Sequence, residues 1–173
     1  MRVIAGEFRG RRLHAPPGAG TRPTADRVRE ALFSMLGDPS GVRVLDLYAG
    51  SGALGIEALS RGAASAVFVE RDARAAATIK RNLDALGADG EVRKQDALRF
   101  LASGEGPFDL VFCDPPYDLA PSSAAALAER VPAVTSEDAR IVTESDKRRP
   151  LELPLPILRE RTYGDTRIVI HAR

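Results

Sequence analysis

Two short stretches carry residue types that could do chemistry: Gly50-Ser51-Gly52-Ala53-Leu54-Gly55 and Asp114-Pro115-Pro116-Tyr117. The first matches G-x-G-x-x-G, whose glycines let a backbone turn come close to a bound nucleotide. Alone it fits NAD. Asp46, four residues before Gly50, weighs against that, because a carboxylate there repels a pyrophosphate and favours a cation. S-adenosylmethionine has a sulfonium and an ammonium and no phosphate. Glu70, twenty residues after Gly50, stands where an acid takes ribose hydroxyls. Asp96 is placed to accept an adenine amino group, with Ala97 against the ring. Both ligands accept the glycine turn; the acids favour S-adenosylmethionine.

The second stretch suits an amine that is a poor nucleophile because its lone pair is delocalised into a ring or amide. Two acceptors around such a nitrogen free that lone pair, and the Asp114 side chain and the Pro115 carbonyl can supply them. Pro115 and Pro116 stiffen the turn and withhold competing N–H donors. Tyr117 offers a flat face, and stacking a base on an aromatic ring contributes about 1–3 kcal/mol. A Pro-Pro pair also simply stops a strand, which explains the prolines but neither Asp114 nor Tyr117.

These residues need elements to hold them, and the chain supplies a regular alternation. "VRVLDLY" reads as a strand, "ALGIEALSRG" as a helix, "SAVFVE" as a strand, and "ARAAATIKRNLDALG" as a helix closed by Gly87. "EVRKQD" is a strand, "ALRFLAS" a short helix, "FDLVFCD" an apolar strand, "SSAAALAERV" a helix and "ARIVTES" a strand. "ILRERTYGDTRIVIHAR" closes as a hairpin about Gly164-Asp165. Strand–helix alternation with nearly continuous apolar strands implies an α/β fold with a mostly parallel sheet covered on both faces. In such a sheet ligands lie past the carboxyl ends of the strands, where both motifs fall. Upstream, "RVIAG" and "GRRLHA" read as a small hairpin around Glu7–Arg9, followed by the proline- and glycine-rich connector "APPGAGTRPT". A helix is expected from Thr24, with Val28, Leu32, Met35 and Leu36 on one face and Gly37 ending it. Residues 1–23 then form a basic arm on a domain spanning 24–173.

The length of 173 residues suits one domain. A lone Cys113 excludes an internal disulfide and reads as a buried thiol. His14 and His171 are remote from each other and from Cys113, so no metal site is expected. No apolar run reaches membrane-spanning length, and the charged N-terminus has no signal-peptide pattern, which points to the cytoplasm. Net charge is +1, but residues 1–30 hold seven arginines against three acids. That surplus fits a polyanionic partner or a solvated surface. Lys147, Arg148 and Arg149 fit either reading as well.

Asp-Pro-Pro-Tyr after a "DLYAGSGALG" turn resembles the amino-methyltransferases that act on exocyclic or amide nitrogen. Together with "RVIAGEFRGRRL", "TRPTADRVREALF", "LDLYAGSGALGIEALSRGA" and "YGDTR", in that order, nearly the whole chain resembles the RsmD-type 16S ribosomal RNA guanine-N2 methyltransferases. The resemblance implies a Rossmann-like class I S-adenosylmethionine-dependent methyltransferase fold, seven-stranded with an antiparallel C-terminal hairpin strand. It implies transfer of a methyl group to N2 of a guanine in small-subunit rRNA, within the 30S particle or an assembly intermediate, by a monomer. By that likeness Asp114, Pro115, Pro116 and Tyr117 form the catalytic turn. The cofactor residues are Asp46, Tyr48, Gly50, Ser51 and Gly52 on one side and Glu70, Arg71, Asp96 and Ala97 on the other. Arg9, Arg11, Arg12, Arg22, Thr24 and Arg27 would touch RNA. Tyr48 departs from the broad superfamily, which often has glycine there. Methylation of adenine N6 or of a protein glutamine, a non-catalytic RNA-binding assembly factor, and a nicotinamide oxidoreductase stand as rivals.

Overall fold

Val44, Leu45 and Leu47 are all excluded from solvent although neighbours along a strand point to opposite faces, so layers cover both sides of this strand. The computed structural model describes residues 1–16, 26–116 and 120–173. In chain order it contains α1 (Asp26–Leu36), β1 (Arg43–Leu47), α2 (Ala53–Ser60), β2 (Ser65–Val69), α3 (Ala73–Leu86) and β3 (Glu91–Arg93). Then come α4 (Ala97–Leu101), β4 (Phe108–Cys113), α5 (Ala120–Arg130), β5 (Thr135–Asp146), β6 (Ile157–Tyr163) and β7 (Thr166–Ala172). The sheet has seven strands in the order β3-β2-β1-β4-β5-β7-β6. All neighbours run parallel except β7, which is antiparallel to both β5 and β6. This is the Rossmann-like fold of class I S-adenosylmethionine-dependent methyltransferases, as the sequence implies.

The alternation of side chains divides the core into two layers. Val44, Phe68, Phe112 and Val142 pack beneath Leu32, Phe33, Leu54, Ile79 and Leu83 of the first three helices. Leu45, Leu47, Val69, Val111 and Ile141 pack on the other face against Phe100 and Leu127 of α4 and α5. Gly55 decides how closely α2 lies on the sheet: a Cβ there would come within 2.3 Å of the Phe68 ring. The chain leaves β1 towards β2 on one side, while β4 flanks β1 on the other. That reversal opens the crevice past the strand ends.

The expected N-terminal hairpin takes another form: Arg2 and Arg12 make a single antiparallel bridge, without named strands. The reason lies in where the backbone donors go. Ile4 N–H and Ala5 N–H donate to the two carboxylate oxygens of Glu57 on α2, and Glu7 N–H donates to the Ser60 carbonyl. Val3 and Leu13 are buried in the layer formed by α1 and α2, so residues 1–13 are stitched into the core. Arg29 of α1 closes this junction. Its guanidinium is fully buried, lies 3.5 Å from Glu57, and donates to Asp26 and the Arg2 carbonyl. The expected start of α1 at Thr24, the connector and the boundary between 23 and 24 lie outside the described residues.

Candidate active site

The glycine turn leaves β1 through Tyr48, whose φ of 59° is left-handed, and passes through Gly50 at 56° and Gly52 at 78°. A tyrosine in that region carries strain of roughly 1–3 kcal/mol that its surroundings must hold. The Tyr48 side chain is tied by a hydrogen bond to Ser123 of α5 and lies near Arg71, Asp96 and Cys113. It therefore keeps a glycine-like backbone while bridging the cofactor turn to α5. Partial burial pushes its hydroxyl up to about 12.

Asp46 lies under the turn. Its carboxylate accepts the Gly55 N–H at 2.9 Å, which pins the first turn of α2 to β1. Only 2% of the residue is exposed, and burial, with a push from Glu70, raises its pKa to about 8. Buried in this way, Asp46 could reach a ligand only through its field, and a cation there would favour its ionised form. Glu70 accepts Gly50 N–H at 2.9 Å through one oxygen and Asp72 N–H at 2.8 Å through the other. It braces the turn, and each oxygen keeps a lone pair for a further donor such as a ribose hydroxyl. Asp96, exposed, caps α4 by accepting Arg99 N–H at 3.1 Å, and Ala97 beside it is buried. Arg71 is exposed near Tyr48. Gly52 caps α2 without a side-chain hydrogen bond.

Across the crevice, β4 delivers Asp114, Pro115 and Pro116 beyond Cys113. Asp114 retains some exposure, yet protein packed around its carboxyl, together with the Glu144 and Asp46 carboxyls, holds its pKa well above the usual range. Cys113 is a buried thiol, pushed upward by burial and by Asp46 and Asp114. Three carboxyls from the ends of β1, β4 and β5 therefore crowd the crevice floor, and Asp46 and Asp114 are held towards their neutral forms, which an arriving cation would shift towards the ionised ones. Gly50, Gly52 and the Asp46, Glu70 and Asp96 carboxyls suit S-adenosylmethionine, which brings cations and ribose donors and no phosphate.

The family described as conserved hypothetical protein 95 matches residues 1–172. The chain belongs to the RsmD-type methyltransferase family. This RsmD-type chain is 43% identical over 184 residues to the Bacillus subtilis protein YlbH, covering 100% of this chain and 99% of that one. It is 40% identical over 174 residues to the Haemophilus influenzae ribosomal RNA small subunit methyltransferase D, covering 95% and 89% of the two chains. The solved structure of the Escherichia coli protein yhhF superposes with a TM-score of 0.85 at 36% identity, covering 100% of this chain and 97% of that one.

The structure thus places Asp46, Tyr48, Gly50, Ser51, Gly52, Glu70, Arg71, Asp96 and Ala97 at the carboxyl ends of β1, β2 and β3 and in the turns after them, with Asp114, Pro115 and Pro116 at the adjacent end of β4. Tyr117, Arg22 and Thr24 lie outside the described residues. Arg9, Arg12 and Arg27 are exposed, and Arg11 donates to the Ala85 carbonyl of α3. Lys147 and Arg148 share one carboxylate, Asp165, at 3.0 and 4.0 Å.

Sequence reading missed two residues. Asn82 is buried; its amide donates to the Ser51 and His14 carbonyls and accepts the His14 N–H, joining α3, the glycine turn and the N-terminal segment. A polar residue on the apolar stripe of Ile79, Leu83 and Leu86 was its signal. Glu144 is buried beside Asp114, and its signal was an acid in the apolar strand "ARIVTES".

Proposed function

We propose that this RsmD-type methyltransferase methylates the exocyclic N2 of a guanine in small-subunit ribosomal RNA. The methyl donor is S-adenosylmethionine, which when bound supplies a sulfonium methyl electrophilic towards an amine. The observation that carries the reading is the pairing of a carboxyl-lined glycine turn with an Asp-Pro-Pro turn across the sheet's switch point. The Haemophilus influenzae relative, named for action on small-subunit ribosomal RNA, supports the substrate class.

On this reading the Asp114 carboxyl and the Pro115 carbonyl accept the two N–H groups of the guanine amine and free its lone pair. Pro116 has no N–H to compete, and Tyr117 stacks on the flipped base. Asp114 starts as a carboxyl held towards its neutral form, so arriving N–H donors favour the ionised acceptor at the moment of alignment. Asp46 and Glu70 hold the glycine turn while their charges favour the donor's cationic groups and hydroxyls. Most of the catalysis is then positioning of one amine. Arg9, Arg11, Arg12 and Arg27, together with Arg22 and Thr24, would contact the RNA, in an assembled or assembling small subunit. The test incubates the protein with methyl-labelled S-adenosylmethionine and small subunits lacking their methyl groups, then maps the label. Label on N2 of one guanine is expected; label on adenine N6, or none, overturns the reading.

A further inference from the structure

The cations of this protein fall into two populations. Arg43, Arg61, Arg93, Lys147 and Arg167 each sit within 4.0 Å of a carboxylate. Arg74 and Arg81 on α3 are exposed and make no ion pair among the described residues. At 3.6 residues per turn, Arg74, Arg81 and Ala85 fall within about 20° of one line along the helix. Arg11 docks at the far end of that line, its guanidinium donating to the Ala85 carbonyl in the last turn of α3. A cation is favoured there by the helix's own carbonyl end, so the contact fixes where this third guanidinium sits.

The result is a row of three guanidiniums. Arg74 and Arg81 are separated by about 10 Å of helix axis, and Arg11 lies about 6 Å further on, at 1.5 Å per residue. Ala77, one of the exposed residues between the first two, is small, so a strand can approach the helix surface closely on that side. The row starts four residues past Glu70, beside the cofactor crevice, and runs away from it down α3. Asn82, on the flank of the same helix, ties that surface to Ser51 and His14, holding row and crevice in one rigid frame.

We propose that Arg74, Arg81 and Arg11 form a phosphate track that holds the RNA strand flanking the target base. This rests on the RNA reading given above and adds α3 to the contact surface. The track neutralises backbone phosphates and reads no base, so it sets affinity and register without altering the chemistry at Asp114.

The experiment compares Arg74→Ala/Arg81→Ala with Arg159→Ala/Arg161→Ala, a control pair of exposed arginines on β6. Initial rates on undermethylated small subunits are measured across a salt series, together with the Kd for S-adenosylmethionine. The track variant should show a KM raised about fivefold and a log KM against log salt slope smaller by roughly 1.4, at about 0.7 per phosphate contact on a single strand. Its kcat and cofactor Kd should match the wild type, and the control pair should match in every parameter. An unchanged KM and slope in the track variant, with an active wild type, overturns the track and leaves the RNA reading standing. An equal loss in both variants overturns it as well, since charge removal anywhere would then suffice. If the wild type labels no small subunit at any salt, the RNA reading itself fails and takes the track with it.

Discussion

Replacing Asp46 by asparagine should stabilise the free protein and change how its stability depends on pH. In the folded chain burial raises the Asp46 carboxyl from 3.8 to about 8. Between those two values the unfolded chain has lost this proton and the folded chain still holds it. Folding then takes up a proton, so stability falls as pH rises, by about 1.4 kcal/mol per unit, until the folded group titrates near 8. The contribution is fully present below the unfolded value and is lost above the folded one. At pH 7 the deficit relative to an uncharged side chain comes to about 4 kcal/mol. Asparagine keeps an oxygen for the Gly55 N–H and has nothing to titrate. Urea unfolding of both proteins at pH 5 and pH 7 isolates the effect, because any constant cost of the amide cancels between the two pH values. The advantage of Asp46→Asn should widen by about 3 kcal/mol over that interval. S-adenosylmethionine binding to the variant, measured by calorimetry, should be weaker, since the carboxylate field is gone. A stability difference that does not vary with pH refutes the burial argument, and undiminished cofactor affinity refutes the electrostatic role.

Asp114→Ala should lower kcat about a hundredfold or more while leaving the cofactor Kd within twofold, since misplacing one reacting group costs on that order. Single-turnover rates and equilibrium binding separate the two. Gly55→Ala places a Cβ 2.3 Å from the Phe68 ring and should cost about 1–3 kcal/mol in denaturant unfolding. Glu57→Gln leaves the buried Arg29 guanidinium with Asp26 as its one carboxylate partner, removes an acceptor from the Ile4 and Ala5 N–H groups, and should cost about 3–5 kcal/mol. In a domain of this size that is a fall in Tm of roughly 10 °C, read by calorimetry.

The parallel strands were readable because both faces are covered: "VRVLDLY" and "FDLVFCD" are each apolar at five of seven positions, on both faces of the strand. Gly87 marked the end of α3 by local chemistry, a left-handed glycine at φ 67°. The site was readable for a related reason, since strand ends and the turns after them fix where side chains meet. What escaped was charge that the fold buries. Arg29 lies on the helix face of Leu32, Phe33 and Leu36, and Glu57 stands among Ile56, Ala58 and Leu59. Each looked like a surface residue because its partner is distant in sequence. Local pattern reported the β propensity of residues 1–13 but not that their N–H groups bond to α2. Strand β5 begins at Thr135, before the apolar run, because Ser136 is held by the Asp109 carboxylate at 2.8 Å. That is again a long-range contact.

The anchoring of residues 1–14 also has a consequence for the order of events during synthesis. Their hydrogen bonds to Glu57, Ser60, Asn82 and Ala85 span 52 to 74 residues of chain. On the ribosome these residues emerge long before the surfaces that receive them. Closing such loops costs entropy that rises only slowly with length, so the delay comes from waiting for α2 and α3 rather than from the search itself. Contacts made last are weakly represented in the folding transition state, and strengthening or losing them acts mainly on the rate of unfolding. A nascent chain shorter than about 85 residues lacks the α3 carbonyl that holds Arg11 and so carries that arginine unanchored.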